Sequence, residues 1–334
     1  MNWSPDSLTA DDRLHVKPEA MPQHVSPMLA TLSHEPFSSD DWIYERKLDG
    51  VRCIVYRDRR GVRLCSRNDL RLDRIFPELV PVIEQAIDGS VVADGEIVAF
   101  DGQLSSFAKL QRRLGITDPG AALMREIAVD LYLFDVLHLD GYDLTGLTLR
   151  QRKRALRQAF AWQSRLHFTA HRNGDGREWL AAACHKGWEG LIAKRAASRY
   201  TGARSGEWLK FKCTARQELV IGGYTDPQGS RIGFGALLLG YHENGHLQYA
   251  GKVGTGFDED LLTQLGAKLT KLELKRSPFE DSADLPRDTH FVQPELVAEV
   301  GFTEWTGSGK LRHPRFLGLR TDKAARDVRR EQPR

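Results

Sequence analysis

Apolar and polar residues alternate along much of the first 215 positions, which is the pattern of β-strands with one buried face. Two alternating segments rich in β-branched residues, 50–57 and 62–67, flank the turn Asp58-Arg59-Arg60-Gly61 and predict a β-hairpin. Further strands are predicted at 90–100, 127–139, 190–194 and 208–212.

Between these strands, apolar residues recur at intervals of three and four, which predicts helices with one apolar face. The predicted helices span 77–87, 107–114, 149–160 and 178–186. Strands and helices mix without a regular βαβ repeat. We therefore predict an α+β fold with largely antiparallel sheets and flanking helices.

The pattern changes after Cys213, where short strands are separated by glycine-rich turns. Strands are predicted at 219–224, 235–241, 245–253 and 297–302, with one helix at 258–272. About five short strands interrupted by one helix are typical of a small OB-fold β-barrel. We therefore predict a polar, proline-containing leader at 1–26, a first domain at 27–215 and a second domain at 216–334.

Composition sets the broad class. The 334 residues are 41% hydrophobic and 28% charged, enough apolar residues for two cores and too many for a disordered chain. The net charge is only +3, but basic residues are concentrated locally. Residues 310–334 hold nine Lys/Arg against three Asp/Glu, and 150–157 hold five basic residues and no acid. Such segments fit either a surface for a polyanion or an ordinary solvated face.

Cysteine spacing and the N-terminal sequence argue against a zinc protein, a secreted protein and a membrane protein. The four cysteines form no C-x-x-C pair, which argues against a zinc site, and we expect them to be buried as small hydrophobic residues. Cys53 and Cys65, on adjacent predicted strands, could lie close together. The chain shows no signal-peptide pattern and no apolar run of about 18 residues, which favours a soluble cytoplasmic protein. It also has no G-x-x-x-x-G-K-[ST] phosphate-binding loop.

The densest chemical cluster is the segment 44–52, Tyr-Glu-Arg-Lys-Leu-Asp-Gly-Val-Arg, between two predicted strands. Lys47 could act as a nucleophile only as a free amine, so we expect its pKa to be lowered by burial or by cationic neighbours. The turn at Asp49-Gly50 would let a backbone approach a phosphate. The candidate cations are Arg46, Arg52, Lys210 and Lys212. Alone, an exposed lysine before a β-turn would explain this segment equally well.

Further motifs follow Lys47 in a fixed order. They are Ser66-Arg67-Asn68, Asp94-Gly95-Glu96, Phe134-Asp135-Val136-Leu137, Glu189-Gly190-Leu191-Ile192-Ala193-Lys194, Trp208-Leu209-Lys210-Phe211-Lys212 and the segment 315–323, Arg-Phe-Leu-Gly-Leu-Arg-Thr-Asp-Lys. The series resembles the covalent nucleotidyltransferases, which comprise ATP-dependent DNA ligases, RNA ligases and mRNA capping enzymes. The resemblance extends over residues 28 to 325.

Within that superfamily, Glu45-x-Lys47-Leu48-Asp49-Gly50 and the segment 312–316 look like DNA ligases. The segments 28–30 and 253–257 are similar to the ligase module of bacterial end-joining ligases. The chain lacks the cysteine quartet of NAD-dependent ligases, and only 46 residues precede Lys47, too few for the large helical domain of longer ATP-dependent ligases. The resemblance implies a nucleotidyltransferase (adenylation) domain followed by an OB-fold domain.

The resemblance also implies a role for each matching residue on the nucleoside side. Lys47 would take AMP from ATP in a phosphoramidate bond. Glu45 would accept a hydrogen bond from the adenine amino group, with Phe134 stacked on one face of the base and Ile192 on the other. Glu96 would hold the ribose. Core packing is the competing explanation for Phe134 and Ile192.

On the phosphate side, Arg52 and Arg67 would reach sugar and phosphate groups, and Arg204 matches another nucleotide-contacting position. Lys210 and Lys212 stand at i and i+2 of one predicted strand, so both can point at the same α-phosphate. Two cations there would stabilise charge that develops in the transition state. Taken singly, each lysine could equally form a surface ion pair.

The resemblance places a divalent metal, Mg²⁺ or Mn²⁺, on Glu189 with Glu96. Arg320, Asp322 and Lys323 match the closing motif on the second domain. Arg320 and Lys323 of this motif would approach the pyrophosphate while the lysine is adenylated and then move away. A solvated basic tail is the competing explanation for these cations.

The sequence therefore predicts an ATP-dependent DNA ligase that seals nicks in duplex DNA through a lysyl-AMP at Lys47. The resemblance further implies a bacterial, nucleoid-associated monomer that acts in DNA repair with a Ku-type end-binding protein. An RNA ligase or GTP-specific capping enzyme with the same lysine remains an alternative. A nucleic-acid-binding protein with an inactive transferase domain is the alternative from another class.

Overall fold

The chain is described by a computed structural model over residues 3–213, 215–229, 231–281 and 284–331. Two compact units divide these residues at position 214. Residues 1 and 2 of the predicted leader, and residues 214, 230, 282–283 and 332–334 around and within the predicted second domain, lie outside the description.

The first unit is built from an N-terminal arm, two sheets and six α-helices among its described residues. Its helices are α1 Ala10–Arg13, α2 Leu79–Ala86, α3 Phe107–Gln111, α4 Ala121–Glu126, α5 Leu149–Ala159 and α6 Gly176–His185, with a 3-10 helix at Pro5–Ser7. Its strands are β1 Lys17–Pro18, β2 Leu29–Leu32, β3 Trp42–Arg46, β4 Val51–Asp58, β5 Gly61–Cys65, β6 Val91–Asp101, β7 Leu104–Ser105, β8 Val129–Leu139, β9 Tyr142–Asp143, β10 Leu166–Phe168, β11 His171–Asn173, β12 Gly190–Arg195 and β13 Arg204–Lys212.

The larger sheet has the order β1-β9-β8-β6-β4-β5, with β10 beside β8 and β7 beside β6. The smaller sheet has the order β11-β3-β12-β13-β2. Neighbouring strands are antiparallel except for β10 with β8 and β13 with β2, which confirms the prediction of largely antiparallel sheets. The predicted hairpin is β4–β5, closed by the turn at Arg59-Arg60.

Each sheet buries one face under helices. The main core packs the larger sheet against α2, α3 and α5, and a smaller core packs the other sheet against α6 through Tyr44, Trp179 and Phe211. The N-terminal arm joins the main core through Trp3, so the predicted leader is draped over this unit. A third cluster, which includes Ile54, Phe134, Tyr200 and Trp208, fills the space between the two sheets.

The second unit contains the OB fold. Its long strand β14 Ala215–Thr225 pairs with β19 in its first half and with β15 and β18 in its second half. One helix, α7 Glu259–Lys271, packs Leu262, Leu265 and Leu269 into the core. The remaining elements are β15 Leu237–Glu243, β16 His246–Val253, β17 Glu273–Leu274, β18 Thr289–Val292, β19 Val297–Phe302, β20 Glu304–Trp305, β21 Leu311–Arg312, β22 Arg315–Leu319 and a 3-10 helix at Ala325–Asp327.

The cysteines differ from the prediction. Cys53 and Cys65 are buried free thiols on the adjacent strands β4 and β5, as expected. Cys184 and Cys213, however, form a disulfide that joins α6 to the residue directly after β13, across 29 positions of sequence. Nothing in their spacing indicated a pair. Because cytosolic proteins seldom keep disulfides, we expect this bond to be reduced in such a compartment.

Candidate active site

One face of the smaller sheet gathers residues that are far apart in sequence. Glu45 on β3, Ile192 on β12 and Lys210 on β13 stand in one row across three neighbouring strands. Gly190 and Lys212 form the adjacent row. Because side chains two positions apart on a strand share a face, Lys210 and Lys212 point the same way, as predicted.

The larger sheet contributes the opposite side of this site. Arg52 on β4 stands directly across from Glu96 on β6. The Arg52 guanidinium lies 4.8 Å from the ring centre of Phe134 and 6.0 Å from that of Trp208, which belongs to the other sheet. Arg52 and Phe134 of the larger sheet therefore face Trp208 of the smaller sheet across the space between them.

Lys47 follows β3 and is held at both ends. Its backbone N–H donates to the carbonyl of Gly190 at 3.0 Å, and its Nζ lies 2.6 Å from Glu189 Oε1. Burial alone would lower the pKa of Lys47, but the Glu189 carboxylate, assisted by Asp49 and Glu96, raises this pKa above its ordinary range. The expectation of a pKa lowered by burial or by cationic neighbours is therefore wrong, because the lysine is paired with the carboxylate of Glu189.

Two glycines allow this close packing. A Cβ on Gly190, whose φ is +149°, would stand 1.9 Å from the carbonyl oxygen of Phe211. A Cβ on Gly50 would stand 2.2 Å from the carbonyl oxygen of Ile97. Any larger residue would push β12 from β13, or the turn after Lys47 from β6. Packing against β6 is therefore enough to require glycine at position 50, apart from any approach of a phosphate.

Arg52 is the centre of a buried polar network. Its guanidinium donates to both carboxylate oxygens of Asp94 at 2.5 Å and to the carbonyl of Met28 at 3.0 Å. Tyr200 donates to the same carboxylate at 2.6 Å and accepts from the N–H of Met28 at 2.9 Å. This network orients Arg52, and sequence reasoning assigned no role to Asp94 or Tyr200.

Helix α5 contributes buried cations that the sequence analysis had placed on the surface. Arg152 donates to both carboxylate oxygens of Asp135, at 2.8 and 2.9 Å, and neither side chain is exposed. Lys153 lies 2.5 Å from Glu45 Oε1. The basic segment 150–157 is therefore not a uniformly solvated or DNA-facing surface. The sequence could have indicated this burial, because Arg152 and Lys153 stand three and four residues after the buried Leu149, inside the apolar stripe of the helix.

The side chains assigned to the base form a compact group. Lys194 lies 2.6 Å from Glu45 Oε2 and 4.0 Å from the ring centres of both Phe134 and Trp208. Phe134 keeps 9% of its surface exposed, and Ile192 is half-buried. The group thus brings an aromatic ring and an aliphatic side chain beside a carboxylate that is itself almost fully buried.

The remaining candidates lie further apart. Arg67 is half-buried in the turn after β5, and Arg204 is exposed at the start of β13, where it donates to the carbonyl of Ala30 at 2.6 Å. In the second unit, Arg320 pairs with Asp322 and with Glu299. Lys323 lies 2.5 Å from Glu218.

The carboxylates of Glu96 and Glu189 are the candidate metal ligands. Glu189 forms the ion pair with Lys47, and Glu96 also raises the pKa of that lysine. Their hard oxygen donors fit Mg²⁺ or Mn²⁺. Within the described ranges no group of three or more His, Cys, Asp or Glu could hold a metal ion. A cation here would therefore need phosphate oxygens or water as its other ligands.

The ion pair of Lys47 with Glu189 makes a testable prediction for protein assayed without added nucleotide. At neutral pH, Lys47 should react with an amine-acylating reagent more slowly than the exposed Lys17, and Glu189→Gln should speed its reaction. Without the carboxylate, burial acts to lower the pKa of Lys47, and more free amine is present. Peptide mass spectrometry between roughly pH 6 and 10 measures both rates. Equal Lys47 rates in the two proteins would show that Glu189 does not control its protonation.

Comparison with known proteins agrees with this geometry. The family described as "ATP dependent DNA ligase domain" matches residues 27–212, and the family described as "ATP dependent DNA ligase C terminal region" matches residues 230–323. Among the described residues, no helix has the length and apolar character needed to cross a membrane.

Curated relatives include the multifunctional non-homologous end joining DNA repair protein LigD of Mycobacterium tuberculosis, 39% identical over 316 residues. This match covers 92% of the present chain and 40% of that protein. The LigD of Pseudomonas aeruginosa is 37% identical over 94% of the chain and 37% of its own length. The chain thus spans about two fifths of these relatives. A solved structure of mycobacterial DNA ligase D complexed with ATP and MES superposes with a TM-score of 0.65 at 37% identity, covering 92% of this chain and 98% of that one.

Proposed function

The chain belongs to the ATP-dependent DNA ligase family, and on that premise we propose that Lys47 is the residue that carries AMP during nick sealing. The observation that supports this assignment most strongly is the position of Lys47. Its Nζ stands against Glu189, beside the row of Glu45, Ile192 and Lys210. Sequence motifs alone could not establish that these residues meet at one site.

The reaction proceeds in three steps. The free amine of Lys47 attacks the α-phosphorus of ATP, the bond to the bridging oxygen breaks, and pyrophosphate leaves. The 5′-phosphate at a nick then attacks the lysyl-AMP and releases the lysine. Finally, the 3′-hydroxyl attacks the activated 5′-phosphate, AMP leaves, and the strand is sealed.

The side chains around Lys47 divide this work. Lys210 and Lys212, on one face of β13, stabilise the negative charge that develops on the α-phosphate. Arg67 and Arg204 contact phosphate or sugar oxygens, and Arg52, oriented by Asp94, contacts the sugar. Because Lys47 begins as a cation paired with Glu189, its proton must leave before the attack.

On the nucleoside side, Glu45 accepts from the adenine amino group, while Phe134 and Ile192 cover the two faces of the base. Glu96 holds the ribose. A divalent cation, when bound by Glu189 and Glu96, neutralises charge on the triphosphate. The other residues act by binding and orientation.

We assign adenylation to residues 27–215 and DNA closure to the OB-fold residues 216–334, with Arg320 and Lys323 acting on the pyrophosphate. The experiment that tests the central assignment is incubation with α-labelled ATP and a divalent cation, followed by mapping of the labelled peptide. We expect one adenylate, on Lys47, with the acid lability and alkali stability of a phosphoramidate. A GTP-specific capping enzyme would take label from GTP instead, and an inactive transferase domain would take none.

The printed names of the LigD relatives describe end joining, and the chain covers only part of those proteins. We therefore propose that this ligase acts in DNA repair by end joining, as a monomer aided by a Ku-type end-binding protein. A chromosomal substrate would place it in the cytoplasm with the nucleoid. Co-sedimentation of the purified chain with Ku and blunt duplex tests the partnership.

Binding to nicked DNA should depend steeply on salt and scarcely on base sequence. We expect the protein to hold DNA mainly through Lys/Arg contacts to phosphates, which carry no sequence information. Each neutralised phosphate adds a slope of about −0.9 to log affinity against log salt. A salt titration with nicked, intact and shuffled-sequence duplexes measures this slope and the two preferences.

Nicked duplex should bind more tightly than intact duplex of the same sequence, because a 5′-phosphate can reach Arg67 and the lysines of β13. The shuffled nicked duplex is the matched control. Salt-insensitive binding would contradict a phosphate grip. So would a sequence preference larger than the preference for the nick.

A further inference from the structure

Helix α5 places a charged amine in the interior of the first unit. The Lys153 side chain is 2% exposed, and its Nζ lies 2.5 Å from Glu45 Oε1 and 3.0 Å from the carbonyl oxygen of Thr169. Its stem also brings the amine to 4.6 Å from the ring centre of Phe168. Burying a lysine is costly unless its charge is paired, so this contact is a specific feature of the site.

Glu45 is held from two sides. Lys153 contacts Oε1 from α5, and Lys194 contacts Oε2 at 2.6 Å from β12. Burial alone would raise the pKa of Glu45, but the two ammonium groups outweigh burial and lower it. The carboxylate is therefore ionised and fixed in orientation, although almost none of it reaches solvent.

The ionised form has a chemical consequence for base recognition. A carboxylate can only accept hydrogen bonds, whereas a protonated carboxyl group can also donate one. A 6-amino purine offers a donor at that edge, and a 6-oxo purine offers an acceptor. An ionised Glu45 would therefore attract adenine and repel hypoxanthine or guanine, while a protonated or displaced Glu45 would lose that distinction.

We propose that Lys153 is a positioning residue that sets the selectivity of this enzyme for a 6-amino purine nucleotide, by holding Glu45 in place as an acceptor. This inference rests on the proposed function, because it requires Glu45 to face the base. Lys153 itself need not contact the nucleotide.

Substitution of Lys153 is a more specific test of the role of Glu45 than substitution of Lys194. Lys194 also packs against Phe134 and Trp208, so its loss would disturb the aromatic surface that meets the base. Lys153 instead approaches from α5, which is fixed by the neighbouring ion pair of Arg152 with Asp135 and by a capping box at Thr148. Lys153 lies 3.5 Å from the backbone carbonyl of Phe134 rather than over its ring, so its substitution removes no contact with the ring that covers the base.

The test compares lysyl-nucleotide formation from ATP and from inosine triphosphate, which carries a 6-oxo group and no 2-amino group. The proteins are the full chain and its Lys153→Met, Lys153→Arg and Glu45→Gln variants, with the Lys153→Met/Glu45→Gln double variant. We expect Lys153→Met to reduce the ATP-to-ITP ratio of kcat/KM by about tenfold or more, mainly through KM for ATP. Lys153→Arg should recover part of the ratio, because it restores the charge.

The double variant tests whether Lys153 acts through Glu45. If Lys153 acts through Glu45, Lys153→Met should leave the ratio unchanged when Glu45 is already Gln. Equal losses with ATP and ITP in Lys153→Met would overturn the proposal and leave Lys153 a structural residue. So would a further change of the ratio in the double variant.

Controls distinguish failure of this proposal from misfolding of a variant and from failure of the proposed function. Thermal unfolding of each variant shows whether it folds, and Lys153→Gln, which keeps a donor without the charge, replaces Lys153→Met if the latter does not. A Lys153→Gln protein that keeps the full wild-type ratio would overturn the proposal. A wild-type chain that labels from neither nucleotide would instead refute the proposed function itself.

Discussion

Lys47→Ala should form no detectable protein-linked AMP, a loss of at least about 10⁴-fold in the rate of adenylation. No other lysine of the chain has the K-x-D-G-x-R setting, and Lys210 and Lys212 come from a different strand of the site. The Nζ of Lys47 lies 2.6 Å from Glu189 beside the row that carries Glu45 and Lys210, so a substitute nucleophile would need a different geometry. Incubation with α-labelled ATP, followed by acid precipitation, measures the loss.

Lys17→Ala is the matched control, since Lys17 is exposed on the short strand β1. It should label at the wild-type rate. Lys47→Ala should also still seal some of a nick that already carries AMP, because the last step does not use the lysine as nucleophile. Protein-linked AMP on Lys47→Ala in normal yield would show that the nucleophile is misassigned.

The order of the motifs was readable from sequence, but their meeting point was not. Glu45, Ile192 and Lys210 are separated by up to 165 positions, and only the pairing of β3, β12 and β13 aligns them in one row. Strand pairing between distant segments depends on the whole sheet, whereas alternation within a strand is local. Local patterns therefore predicted most of the long strands and helices. The position of the site became visible only from the pairing of the strands in the structure.

Charge was the weakest part of the prediction. Formal charges along the chain suggested cations around Lys47 and a basic surface on α5, yet Lys47 faces Glu189, and Arg152 and Lys153 face Asp135 and Glu45. A sequence shows which charges exist but not which pairs survive burial, because pairing is decided by tertiary contacts. The useful signal was position: a basic residue inside an apolar helical stripe must find a buried partner.

The disulfide shows the same limit. The spacing of Cys184 and Cys213 in the sequence matches no known pattern. In the fold, however, Cys184 on α6 lies next to Cys213 at the end of β13. Alternation placed Cys53 and Cys65 on adjacent hairpin strands, but Cys65 pairs with Ile54, so the two thiols belong to cores on opposite faces of the sheet.

Truncation after Cys213 should reduce lysine adenylation by about 10²-fold or more, the effect expected from losing cations that stabilise a leaving group. In the proposed function these cations are Arg320 and Lys323, which lie in the second unit. The fragment keeps both sheets, the disulfide of Cys184 with Cys213, and every first-unit candidate residue. Single-turnover labelling with ATP measures the first step, and sealing of a pre-adenylated nick measures the last. Both should fall, the latter because half of the DNA-binding surface is absent.

Lys323→Ala in the full chain separates these two effects. Lys323 pairs with Glu218, and both side chains keep only about a fifth of their surface exposed, so breaking this pair should cost on the order of 1–3 kcal/mol of stability, and thermal unfolding checks that the variant folds. If Lys323 acts on pyrophosphate, adenylation should fall while sealing of the pre-adenylated nick falls much less, since no pyrophosphate leaves in that step. Lys268→Ala, on the exposed face of α7, is the matched control in the same unit. Equal losses in both steps would make Lys323 a DNA contact, and full sealing by the truncated chain would remove the second unit from the reaction altogether.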